Sequence, residues 1–128
     1  MKFVRESEAP KDIFPAPYAR TITHIIAPWT VGSKNVWLGT CTYPPGVTSN
    51  PHIHNTQEET FYCIAGKGQI KVSDTVFDLV PGDTVFVEPG ELHMCMNLHG
   101  TEDFKVVSVV TPPFSQTGFQ SDHTPNKP

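Results

Sequence analysis

Short segments rich in apolar and β-branched residues recur along this chain between turn signals, the pattern of strands and not of long helices. Arg20-Thr-Ile-Thr-His-Ile-Ile-Ala27 is β-branched and alternating, and predicts a strand. Asn35-Val-Trp-Leu-Gly-Thr-Cys-Thr-Tyr43 predicts a second, stopped by Pro44-Pro45-Gly46. Further short strands are expected near 51–54, 59–65, 68–72, 75–79, 83–88, 92–97 and 104–111. Turn signals separate them: Gly66-Lys67-Gly68, Ser73-Asp74, Pro81-Gly82, Pro89-Gly90 and His99-Gly100. No segment sustains a helical period, so the expectation is an all-β sandwich or barrel. Residues 1–19, with Pro10, Pro15 and Pro17, read as an arm or edge segment, 20–111 as the barrel, and 112–128 as a polar tail that frays or drapes over the body.

Strand parity adds detail. If Glu59 faces inward, so do Phe61, Cys63 and Ala65, while Thr60, Tyr62 and Ile64 face away. If His93 faces inward, so do Cys95 and Asn97, while Met94, Met96 and Leu98 face away. Both faces are then substantially apolar, and a strand apolar on both sides is covered on both. A second subunit is one cover, making a homodimer the expectation; the arm and tail are the other.

Composition narrows the class. A length of 128 residues allows one domain, and 38% apolar with 17% charged residues describes a globular chain. Thirteen prolines and nine glycines favour many turns over long helices. A net charge of −4, with no basic run, argues against a nucleic-acid surface. No apolar run approaches a membrane span, and Met1-Lys-Phe-Val-Arg-Glu-Ser-Glu8 lacks a signal-peptide core, so a cytoplasmic protein is expected. Cys41, Cys63 and Cys95 are odd in number and unpaired in sequence, which fits free thiols in a reducing compartment.

The chemistry lies in Gly46-Val-Thr-Ser-Asn-Pro-His52-Ile-His54-Asn-Thr-Gln-Glu-Glu59 and in Pro89-Gly90-Glu-Leu-His93. Side chains at i and i+2 of an extended chain share a face, so His52 and His54 can reach one point, as two imidazoles binding one metal ion must. Glu59 and His93 are further candidate ligands. Glu58 competes with Glu59, but parity and the spacing to Gly66 favour Glu59. No cysteine pair accompanies the histidines, which disfavours a zinc finger. His24, His99 and His123 stand alone, and a lone histidine is ordinarily structural.

Gly46-x5-His52-x-His54-x4-Glu59-x6-Gly66 resembles the first motif of the cupin superfamily. Gly82-Asp-Thr-Val-Phe-Val-Glu88-Pro89-Gly90-x2-His93-x3-Asn97 resembles the second, with fifteen residues between Gly66 and Gly82. In one departure, Glu88 stands where the family usually has proline, and Pro89 is shifted by one. The resemblance implies a jelly-roll barrel (a double-stranded β-helix) holding one divalent metal on His52, His54, Glu59 and His93. Such donors suit Mn, Fe, Co, Ni, Cu or Zn, without choosing among them.

Around that site, Trp37, Phe61, Cys63 and Cys95 are the expected wall, and Tyr43 and Glu58 the candidate proton-transfer groups. Cys95 stands about 7 Å along the strand from His93, a neighbour and not a ligand. Cations are scarce: none lies between Lys34 and Lys67, and Arg5 and Arg20 are the two arginines. Phosphate and dicarboxylate substrates ordinarily need such partners. The expected function is therefore a metal-dependent enzyme acting on a small oxygenated organic molecule, by dioxygenase or by isomerase or lyase chemistry. A non-catalytic ligand-binding or sensor cupin is the alternative.

Overall fold

The structure is a computed structural model that describes residues 1–123, with side chains described as far as Phe119. A short 3-10 turn at Glu6–Glu8 leads into nine strands and one helix. The strands are β1 (Lys11–Phe14), β2 (Arg20–Ile26), β3 (Trp37–Tyr43), β4 (Glu58–Ala65), β5 (Gly68–Val72), β6 (Thr75–Leu79), β7 (Thr84–Val87), β8 (His93–Met96) and β9 (Phe104–Thr111). Helix α1 spans Gln116–His123. A six-stranded sheet has the order β1-β2-β3-β9-β4-β7, and a three-stranded sheet the order β6-β5-β8. All their pairings are antiparallel. The two sheets enclose one apolar interior, the arrangement of a jelly roll.

The alternation read from sequence is realised most cleanly in β9. Phe104, Val106, Ser108 and Val110 are buried while the residues between them are half-buried. On β4, Glu59, Phe61 and Cys63 are buried, and Glu58, Tyr62 and Ile64 are exposed. Ala65 departs from that parity. The β4–β9 register shifts between Cys63 and Ala65, and the irregularity turns Ala65 outward to an exposed position. Tyr62, Ile64 and Phe86 stay exposed on the outside, the face for which a second subunit is expected.

Two glycines are demanded by close approach. Gly66 has φ of +69°, and a Cβ there would collide with the Asp103 carbonyl oxygen. A Cβ on Gly39 would strike the Thr23 carbonyl and the ring of Trp37, so this glycine lets the indole lie flat across β3.

Two further expectations need correction, the strand at 51–54 and a tail without a helix. The segment 51–54 is not a strand. It meets β8 through one isolated bridge, His52 to His93, in which each backbone N–H donates to the other's carbonyl at 3.0 Å. Pro51, with no N–H, cannot extend that pairing. The arm is tied in through β1, which forms the edge of the large sheet against β2. Two further bonds reinforce this: Lys105 Nζ donates to Glu6 Oε1 at 2.6 Å, and the His24 backbone N–H donates to the Pro10 carbonyl at 2.8 Å.

The tail holds a helix that no periodicity announced. Ser115 caps it, its Oγ accepting from the Gly118 N–H at 2.9 Å. Phe114 and Phe119 are 2% and 1% exposed, seated on Trp37 at centroid distances of 5.3 and 6.1 Å. The tail is thus draped and anchored as far as it is described; the remainder of the 112–128 expectation lies outside the described residues. Phe119→Ala should lower unfolding free energy by about 3–5 kcal/mol in chemical denaturation. An unchanged midpoint would mean that the tail is not seated there.

Candidate metal centre

Four side chains converge inside the barrel at the end where the tail packs. His52 and His54 come from the loop before β4, Glu59 from β4 and His93 from the start of β8. One ligand atom from each lies within 4.8 Å of all the others. Donors at about 2.0–2.2 Å around one ion occupy a spread of this order. The imidazole planes are set at large angles to one another, with centroids 4.3 Å apart for His52 and His93 and 4.9 Å for His52 and His54.

Each orientation has a visible cause. His52 Nδ1 donates to the Asn50 carbonyl at 2.9 Å and His93 Nδ1 to the Glu91 carbonyl at 3.0 Å, which directs both Nε2 atoms to the centre. The Glu59 Oε1 atom lies 3.0 Å from His54 Nε2 and 3.2 Å from His93 Nε2. Its other oxygen accepts the Ser108 hydroxyl proton at 2.5 Å. Asn50 is held in turn by Arg20, whose Nη2 donates to Asn50 Oδ1 at 2.8 Å while Nη1 donates to the Tyr18 carbonyl at 2.8 Å.

His93 supplies the test of whether these residues fit an ion. Both its ring nitrogens face oxygen acceptors, the Glu91 carbonyl and the Glu59 carboxylate. A neutral imidazole carries one N–H, so with Nδ1 donating to the carbonyl a proton or a metal ion must lie between Nε2 and the carboxylate. A divalent metal fits that place, and three imidazoles with one carboxylate suit a first-row transition ion.

The electrostatics favour the metal-ready forms. Burial drives the His52 imidazole down to about 3, aided by His93 beside it, so His52 is neutral at physiological pH. Burial alone raises the Glu59 carboxyl, but the His54 and His93 side chains beside it outweigh that and hold the group well below its ordinary value. It is a carboxylate.

The expected wall is only partly at the centre. Phe61 lies against His93, centroids 5.9 Å apart. Trp37 is separated from the histidines by Phe114, whose ring stands 5.2 Å from that of His54. Cys63 sits four residues beyond Glu59, about 13 Å along β4, with its thiol near the Ala65 and Gly66 carbonyls. Cys95 and Cys41 are buried beside Tyr43. Burial pushes the Cys41 thiol up to about 12 and the Cys95 thiol still higher, so both are protonated.

Burial likewise raises the Tyr43 hydroxyl well above its ordinary value, with Cys95 and Cys41 adding to the effect. Tyr43 is therefore a donor and not a base. Glu58 is exposed on the face of β4 opposite Glu59.

Ser108, Asn50, Arg20 and Phe114 were not read from the sequence as parts of the site. Ser108 carried a signal: it is the one polar residue among the inward positions of β9. Arg20 and Asn50 carried none, because their partners lie 30 residues apart in the chain. Ser108→Ala should weaken metal binding by about 10–100-fold, read by competition with a chelating dye. An unchanged affinity would show that the hydroxyl does not hold the carboxylate.

Comparison with known proteins agrees with this geometry. An uncharacterised protein of Methanocaldococcus jannaschii is 30% identical over 78 residues, 61% of this chain and 62% of that protein, so the chain spans about three-fifths of that relative. A β-D-galactosidase of Mycobacterium tuberculosis is 29% identical over 113 residues, covering 87% of this chain and 92% of the relative. A predicted oxalate decarboxylase of Thermotoga maritima shares the fold at a TM-score of 0.76 and 22% identity, with 86% of this chain and 98% of that one covered. The cupin domain family matches residues 39–110, which include all four convergent ligands and both glycine-framed turns. By its sequence and its jelly-roll barrel, this chain belongs to the cupin family.

Proposed function

We propose that the protein is a metal-dependent enzyme acting on a small oxygenated organic substrate whose own oxygens bind at the ion. The observation that carries this reading is the convergence of three oriented imidazoles and one ionised carboxylate in a buried, largely apolar setting. His52, His54, Glu59 and His93 would hold the metal. When bound, the ion supplies a Lewis acid with about one net positive charge after Glu59 is counted, suited to a carbonyl, enolate or carboxylate oxygen.

The chain's own residues would do the remaining work. Phe61 and Phe114 flank the histidines with apolar surface, which excludes water and selects a substrate with an apolar part. Ser108 keeps the Glu59 carboxylate aimed inward, and Asn50 with Arg20 keeps His52 in register. Tyr43, held protonated, is suited to donate a hydrogen bond or a proton and not to remove one. The Mycobacterium tuberculosis relative carries the name of a sugar hydrolase, and a sugar is one oxygen-rich molecule of the required kind.

Metal content of the purified protein, read with oxygen uptake and product analysis on a panel of enols, diketones, catechols and simple sugars, tests the proposal. We expect about one transition ion per chain, turnover of one substrate class, and loss of both in His52→Ala and His93→Ala. Metal bound without turnover of any class would favour the binding-module reading. Full turnover by metal-free protein would overturn the metal's role.

A further inference from the structure

A second site lies outside the metal centre, where the arm and tail meet the barrel. Pro10, Lys11 and Asp12 of the arm, His24 and Trp29 of the barrel, and Gln116 and Phe119 of the tail line a cleft of about 360 Å³. At its base His24, 3% exposed, donates from Nε2 to Asp12 Oδ2 at 2.7 Å. The indole N–H of Trp37 donates to His24 Nδ1 at 3.2 Å, which fixes that tautomer. Trp29, Trp37 and Phe119 stand around the imidazole edge-on, at centroid distances of 5.1, 5.7 and 4.5 Å. Both ring nitrogens of His24 are engaged, so the imidazole itself is held in place at the base of the cleft.

Its walls say what it would bind. Trp29 is half-buried, leaving part of an indole on the cleft, with Phe119 and Pro10 extending the apolar side. The same lining carries one carboxylate (Asp12), one ammonium (Lys11) and one amide (Gln116). Lys11 Nζ donates to the Glu6 carbonyl at 3.3 Å and to the Ala9 carbonyl at 3.5 Å, two of its three N–H groups. The two charges cancel, so neither a phosphate nor a cation is favoured by net field. Aromatic surface together with mixed donors and acceptors suits a neutral ring with C–H faces and hydroxyl edges. A volume near the lower end for small-molecule sites suits one ring and not an extended chain. We propose that this cleft is a binding subsite for a single pyranose sugar. The inference stands apart from the metal reading, because Phe114 and Phe119 separate the cleft from His54.

Saturation-transfer NMR with D-galactose and D-glucose on the full chain tests it. Transfer to the ring C–H protons of at least one sugar is expected, and it should persist after metal is stripped with chelator. Trp29→Ala and Gln116→Ala should each weaken the transfer, Trp29→Ala by roughly tenfold in apparent affinity. Gln116 is exposed, so its variant guards against misfolding, with circular dichroism checking both. Three results would overturn the proposal: no transfer from either sugar, transfer unchanged in both folded variants, or transfer abolished by the chelator. The last would place the sugar at the metal centre instead.

Discussion

A carboxylate buried in the middle of a β-barrel constrains most of what surrounds it. Glu59 is 4% exposed and ionised, and an isolated carboxylate in such a place would be prohibitively unfavourable. It is tolerated because Ser108 donates to one oxygen and two imidazoles face the other. The far nitrogens of His52 and His93 are satisfied in turn by backbone carbonyls, which the loops around Asn50 and Glu91 provide. The loop before β4 and the turn before β8 are thus shaped by the ligands they carry. The jelly roll supplies the frame, since β4, β8 and the bridging loop come from different parts of the chain and meet only when both sheets are formed.

The same barrel end is closed by residues at the two chain extremities. The arm brings Phe14, over whose ring the Arg20 guanidinium carbon sits at 4.2 Å, and Arg20 reaches Asn50 and so the backbone that holds His52. The tail brings Phe114 against His54 and Phe119 against His24. Arm and tail therefore belong to the architecture of the centre, although among the described residues neither supplies a ligand.

Period-two alternation and turn residues made the strands legible, because strands such as β4 and β9 have one buried face and stop at Gly66 and Pro112. The ligands were legible because two motifs place them at fixed spacing and parity puts Glu59, not Glu58, inside. What escaped was long-range or local in ways alternation does not encode. Helix α1 is an eight-residue element with a Ser115 cap and one buried phenylalanine, too short for a period. Ala65 was misplaced by a register shift that reverses parity. Cys63 shares the inward face with Glu59, yet parity says nothing of distance along the strand, and it lies toward the far end. Among the described residues Arg20 is the one buried Lys or Arg side chain, and the fold uses it to support Asn50, a partner 30 residues away that alternation does not encode.

The central claim is that Glu59 and the three histidines form one metal centre. Anomalous diffraction at transition-metal absorption edges, from crystals of protein purified with metal present, tests it most directly. The account predicts one strong peak per chain, bonded to Nε2 of His52, His54 and His93 and to a Glu59 oxygen at about 2.0–2.2 Å. A well-ordered structure with no peak there, or with the ion held by other residues, would contradict it.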